Sequence, residues 1–317
     1  MKVTGTGLFT PGAIQTAEEL SEQIGRSAAW IESRTGVSSR RITDRSMDLM
    51  AAGAAQEALG DGGPPDLILN TSLTPLQLIP DSSVFIQRAL GYEGIPSFSL
   101  HATCLSFVVG LHTAAHMLHA GTYRRILLVS AEQGSGFRDF TDPESAALIG
   151  DGAAAAVLER TPDGEDSALL DFGMTTWPEG AELAEFRGAG TRKPPGHADT
   201  VPLDNLFRMR GPRIYKLAYV KLAAILFPML EKHGLAPQTL DWMVPHQMSG
   251  PGIDAFVKSG FPPERVINLI AEYGNCIAAS MPMALATAHR RGLARGDTVM
   301  LAGTGAGVSV AAALLRW

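Results

Sequence analysis

Three side chains that lie far apart in the sequence are of types that combine into one nucleophilic centre: Cys104, His246 and Asn275. A cysteine thiolate attacks an activated acyl group and holds it as a thioester. An imidazole and a carboxamide can donate hydrogen bonds to the negative oxygen such chemistry develops, where a carboxylate would repel it. Cys104 follows a short strand-like segment at 97–100 through a turn, and opens the apolar stretch CLSFVVGLHTAAHMLHAG. A helix starting there would direct free N–H groups and its positive dipole end at the sulfur, favouring the thiolate. A structural cysteine also suits a strand–helix junction, so position alone leaves both roles open. His246 ends the segment WMVPHQ, where Pro245 stops further pairing, and Asn275 sits in Tyr273-Gly274-Asn275-Cys276 before a second apolar stretch.

Other chemistries find less support. The chain has no GxxxxGK[ST] phosphate loop, no HExxH and no paired CxxC. Gly303-Thr304-Gly305-Ala306-Gly307 is glycine-rich, but a strand pattern follows it, against a dinucleotide-binding turn. His112, His116 and His119 have helical spacing without an Asp, Glu or Cys partner in sequence. They read as packed or partly exposed histidines rather than metal ligands.

The elements that must position the three residues repeat. Residues 66–71 and 241–246 are short apolar strands, each followed by a polar loop and an amphipathic stretch, at 82–90 and 251–259. Cys104 and Cys276 then open long apolar stretches, RRILLVSAE and DTVMLAG follow as strands, and GDGAAAAVLER is echoed by GTGAGVSVAAALLR. The spacing is 38 positions from Asp66 to Cys104 and 35 from Asp241 to Cys276. A duplicated unit explains this order better than chance likeness of Ala-rich stretches. Alternating strands and helices predict mostly parallel sheets with helices on both faces. A pseudo-twofold would make Cys104 and Asn275 start facing helices, with His246 arriving beside them. Residues 161–204, rich in Gly and Pro, read as the irregular connection between halves 1–165 and 166–317.

Composition narrows the class. With 26 Lys and Arg against 32 Asp and Glu, the net charge of -6 argues against a surface built broadly for nucleic acid. Hydrophobic residues at 45% against 18% charged supply a large core and argue against disorder. No apolar run reaches the ~18 residues of a membrane span. The start lacks a secretory h-region, and two cysteines make no disulfide framework, so a cytoplasmic setting is expected.

Over nearly its whole length the sequence resembles the β-ketoacyl-acyl carrier protein synthase III group of the thiolase-like superfamily. The resemblance rests on Gly5-Thr6-Gly7 with Pro11, Trp30-Ile31 with Arg34-Thr35-Gly36, Gly150-Asp151-Gly152-Ala153, the VPHQ at 244–247, and Gly274-Asn275 with Ala278-Ala279-Ser280. It implies an α/β fold of two duplicated halves in a five-layered αβαβα sandwich. It further implies that Cys104 accepts the acyl group and that His246 and Asn275 complete a triad. Gly307 falls where the family places the second oxyanion-hole donor, beside the N–H of Cys104. The implied reaction is decarboxylative Claisen condensation of an acyl primer with a malonyl-type thioester, in fatty-acid or polyketide-like metabolism. No metal or redox cofactor is implied, and a homodimer is.

Trp30 and Arg34 match residues that contact coenzyme A, and Ile79 matches one sent into the partner's acyl pocket. The sequence departs from the family at three places. Ser99-Leu100-His101-Ala102-Thr103 precedes the nucleophile, with Leu105 and Ser106 after it. Pro143-Glu144-Ser145-Ala146 replaces a family arginine, and Met248-Ser249-Gly250-Pro251 lacks a basic residue. These changes weaken the expected coenzyme A clamp, leaving an acyl carrier protein as the alternative donor. Arg208, Arg210, Arg213, Lys216 and Lys221 precede His246 around a helix start. Of these, Arg210, Arg213 and Lys216 are candidates for carrier docking, with a solvated helix face as the other reading. Rival functions are acyl transfer from Cys104 to an alcohol or amine without decarboxylation, and a non-catalytic partner subunit of a condensing heterodimer.

Overall fold

A computed structural model describes all 317 residues. The chain opens with β1 (Lys2–Phe9), then β2 (Ala13–Thr16), α1 (Ala17–Ile24), α2 (Ala28–Thr35) and β3 (Ser39–Ile42). Next come α3 (Met47–Leu59), β4 (Leu67–Asn70), α4 (Ser82–Ala89), β5 (Ser97–Ser99) and α5 (Ser106–His119). β6 (Arg125–Gln133), the single-turn α6 (Pro143–Ala146) and β7 (Asp151–Glu159) follow. After these lie β8 (Ala168–Gly180), β9 (Ala184–Glu185), β10 (Arg208–Met209) and α7 (Gly211–Lys232). The chain ends with β11 (Trp242–Pro245), α8 (Gly250–Lys258), α9 (Ile270–Tyr273), α10 (Ser280–Arg290), β12 (Thr298–Gly305) and β13 (Gly307–Arg316).

Two sheets carry the architecture, ordered β1-β7-β6-β4-β5 and β8-β13-β12-β11. Four strands of each correspond in order, β8 to β1, β13 to β7, β12 to β6 and β11 to β4. α5 and α10 lie between the sheets and touch strands of both. α3 and α4 cover the outside of the first sheet, and α7 covers the second. The result is the expected five-layered helix–sheet–helix–sheet–helix sandwich. Within the central layer, Phe107, Leu111 and Leu118 of α5 pack with Met281, Met283 and Leu285 of α10 in one buried cluster. Alanines 153–156 of β7 keep that strand thin enough for α3 on one side and α10 on the other.

Two expectations need correction. The sheets are mixed rather than mostly parallel: β4 runs parallel to β5 and β6, and β11 to β12, but β7 is antiparallel to both its neighbours, as is β13. Only Ala306 separates β12 from β13, too short for a crossover, so the pair must be a hairpin. The stretch 161–204 is also not wholly irregular, because it contains the 13-residue strand β8. β8 pairs only with β13, and an edge strand tolerates the Pro178 that made the segment read as a breaker.

Candidate active site

Each central helix is entered through a left-handed residue. Thr103 has φ 54° and Ile277 φ 50°, and each stands three positions before its helix, α5 at Ser106 and α10 at Ser280. A non-glycine residue held there stores backbone strain, on the order of 1–3 kcal/mol. This matched geometry pairs Cys104 with Ala278, not with Cys276 as the sequence echo suggested. A short 3-10 turn, Ile277–Ala279, intervenes before α10, so the second apolar stretch starts earlier than its helix. Cys276 is buried, with its Sγ donating to the Tyr273 carbonyl at 3.5 Å.

The end of β12 brings His246 beside the Cys104 turn. Gly303 and Gly305 lie on one face of that strand. A Cβ on Gly303 would stand 2.5 Å from the His246 Cβ, and one on Gly305 would stand 2.4 Å from Thr103 Oγ1. Neither side-chain approach leaves room for alanine. The His246 N–H donates to the Ala302 carbonyl at 2.9 Å, continuing the β11–β12 pairing past Pro245.

Asn275 reaches the same place through Met248. The Met248 N–H donates to the His246 carbonyl at 2.9 Å, and Asn275 Nδ2 donates to the Met248 carbonyl at 3.4 Å. The Asn275 backbone is pinned to the other half: its N–H donates to Leu148 O at 2.7 Å, and its carbonyl accepts from Gly150 at 3.1 Å. Asn275 Oδ1 accepts from the Ile277 N–H at 2.8 Å, so the amide presents its NH₂ end as the available donor.

Burial dominates the electrostatics. Cys104 is partly exposed at its surface, yet desolvation pushes its thiol up to about 12, and the nearby Glu132 carboxylate adds to the rise. The expectation of a dipole-stabilised thiolate is therefore not met. Cys104 stands two positions before the first residue of α5, and burial with Glu132 outweighs the N–H groups that favour the anion. Those N–H groups belong to Cys104 itself and to Ala306. Gly307, the expected second oxyanion donor, opens β13 opposite Gly180 of β8, and the neighbouring backbone N–H that faces the sulfur is that of Ala306. His246 is 2% exposed, and burial pulls its imidazole down to about 4, so it is neutral at pH 7. Its Nδ1 has no hydrogen-bond partner.

Glu132 went unnoticed in the sequence, although a lone acid inside the apolar RILLVSAEQ is a signal in itself. It is fully buried and accepts from the N–H of Leu73 and both the N–H and hydroxyl of Thr74. Burial pushes it up to about 7 against these bonds and one from the Ala278 N–H.

The substrate residues are more dispersed. Arg34 stands at the mouth of a cleft of about 320 Å³ that runs between α7 and α8 to Met248 and Thr304. It is engaged by Glu144, with its Nη2 and Nε 2.6 and 3.0 Å from one carboxylate oxygen. Trp30 does not line this cleft, and one face of its ring carries the Arg26 guanidinium at 5.5 Å. Ile79 is 86% exposed on the loop before α4. Arg210, Arg213 and Lys216 are exposed at the start of α7 and make no ion pair, whereas Arg208 is held by Asp139 and Lys221 covers Trp177. His112 stacks on Phe172 at 4.1 Å, a packing role.

Two repeats in a helix–sheet–helix–sheet–helix sandwich, carrying a thiol, a neutral imidazole and a carboxamide at strand and helix ends, are the architecture of the thiolase-type fold. Family models for 3-oxoacyl-[acyl-carrier-protein] synthase III match residues 98–178, and for its C-terminal part residues 230–317. The beta-ketoacyl-[acyl-carrier-protein] synthase III of Solibacter usitatus is 32% identical over 325 residues, covering 100% of this chain and 98% of that one. The crystal structure of the Aquifex aeolicus synthase III superposes with a TM-score of 0.89 at 31% identity, covering 100% and 99%. The priming β-ketosynthase of the R1128 polyketide pathway gives 0.89 at 28% identity, covering 99% and 95%. The chain belongs to the β-ketoacyl-acyl carrier protein synthase III family, and is an acyltransferase-class condensing enzyme.

Proposed function

We propose that Cys104, His246 and Asn275 carry out decarboxylative Claisen condensation. The observation that carries this is a buried neutral imidazole joined through Met248 to a carboxamide with its NH₂ end available, a donor pair suited to an enolate oxygen. Cys104 first attacks the acyl thioester. Its proton passes, by way of His246, to the departing thiolate, because a thiol held at about 12 does not ionise beforehand. The N–H groups of Cys104 and Ala306 hold the tetrahedral oxyanion. A malonyl-type thioester then loses carbon dioxide, and the electron pair of the broken C–C bond moves into an enolate held by His246 and Asn275. The enolate carbon attacks the acyl carbon, a C–C bond forms, and the Cys104 thiolate leaves and takes a proton from solvent.

The chemistry uses no metal or redox cofactor. The primer arrives on coenzyme A or an acyl carrier protein, and the exposed Arg210, Arg213 and Lys216 would meet an acidic carrier. Leu76, Leu78, Ile79, Val84 and Phe98 are exposed apolar residues around one loop, and we read them as covered by a second copy. No helix is long and apolar enough to cross a membrane, which fits a cytoplasmic enzyme. The boundary between repeats is read at 165/166, just before β8. Intact mass after incubation with acyl thioesters, followed by carbon dioxide release from malonyl donors, tests the proposal. An acyl-enzyme that forms and passes to an alcohol or amine without carbon dioxide release would establish simple acyl transfer instead.

A further inference from the structure

Resting on the condensing reading, a narrower question is which thioester enters the cleft between α7 and α8. Arg34 and Glu144 are the only charged residues lining it, and they are bonded to each other. Apolar and aromatic side chains dominate the rest, among them Leu222, Leu226, Tyr219, Phe256 and Phe261. The second Glu144 oxygen lies 4.0 Å from where a Cβ on Gly211 would stand, at the first residue of the 22-residue α7. A guanidinium at the entrance of a cleft is a natural partner for an incoming phosphate. Here a carboxylate of the protein already holds that guanidinium. An incoming phosphate would have to displace Glu144 from Arg34 and then sit beside its negative charge.

We propose that Glu144 is a specificity residue that turns this entrance against nucleotide-bearing thioesters, so that acyl groups reach Cys104 on pantetheine without the nucleotide of coenzyme A. The two side chains of the pair are 45% and 34% exposed, so the pair itself adds little to stability and can be altered without loss of the fold. Its effect is on what binds. Nucleotide-free thioesters come from two sources, a carrier protein's prosthetic arm or a small free thiol, and the cleft presents the same chemistry to both.

The test compares second-order acylation of Cys104, read by intact mass, from one acyl group carried on coenzyme A, on free pantetheine and on acyl carrier protein. Glu144→Gln should raise the rate from acyl-coenzyme A about tenfold, the scale of one carboxylate–phosphate repulsion at a half-exposed site. Glu144→Arg should raise it further and make it fall steeply with salt. Acyl-pantetheine, which also reports intact folding, should change less than about twofold in both variants. A carrier rate above the pantetheine rate identifies the carrier as the source, and an equal rate identifies a small thiol. Wild-type protein that already prefers acyl-coenzyme A, or a Glu144→Gln variant that shifts all three donors equally, would overturn the inference while leaving condensation intact. No acyl-Cys104 from any donor would overturn both.

Discussion

A thiol held at about 12 reacts only if its proton leaves during the attack, so the groups around Cys104 decide its reactivity. Cys104→Ala should abolish the acyl adduct and keep the fold, as intact mass and circular dichroism would show. Replacing Glu132 with Gln removes a negative charge that opposes the thiolate. The thiol should then ionise at lower pH and be alkylated by iodoacetamide several-fold faster at pH 8, on the order of one pKa unit. His246 differs in sign. Its native value near 4 lies below the ordinary 6.5, so between these values the unfolded chain takes up a proton that the native site refuses. That contribution to stability is complete above about pH 6.5 and is lost as the pH falls through about 4, which denaturant titrations at pH 7 and pH 5 would detect. Loading Cys104 calls on backbone donors and the proton relay through His246, whereas the enolate also needs the Asn275 amide. Asn275→Ala should therefore still form the acyl-enzyme but release carbon dioxide on the order of a hundredfold more slowly.

At the scale of elements, the end of β12 leaves no room for added side chain beside His246 and the Cys104 turn. Gly303→Ala would drive a Cβ to 2.5 Å from the His246 Cβ, and the strand cannot move away because β11 and β13 flank it. Overpacking of this kind costs roughly 1–3 kcal/mol. The variant should lose carbon dioxide release far more than it loses thermal stability, as calorimetry beside the decarboxylation assay would show. The same strand explains what was readable in the sequence. Strand and helix order follows from apolar periodicity, and the candidates Cys104, His246 and Asn275 from local motifs. Strand direction within each sheet does not, because it depends on which strands meet through three-dimensional closure. The pairing of Cys104 with Ala278 was hidden for a related reason: a short turn before α10 separates the start of an apolar run from the start of its helix. Ala306 was out of reach because it contributes only its backbone N–H, which carries no sequence signature. Pro178 misled because its meaning depends on whether its strand lies at an edge.

At the scale of the molecule, charge is distributed unevenly over an acidic chain, and the unpaired Arg210, Arg213 and Lys216 form its candidate docking face. Reversing all three should weaken use of carrier-bound substrate and flatten its salt dependence, with small thioesters affected much less. Equal losses would place these residues in the site itself. The division of labour between repeats has a further consequence. Cys104 comes from the first half and His246 with Asn275 from the second, while residues 162–166 between β7 and β8 are exposed. A chain nicked between Asp163 and Gly164 would therefore be a two-part reporter. Either fragment alone would carry an incomplete centre and a bare central helix, and mixing them would restore turnover only through complementation, with initial rates rising as the product of the two fragment concentrations.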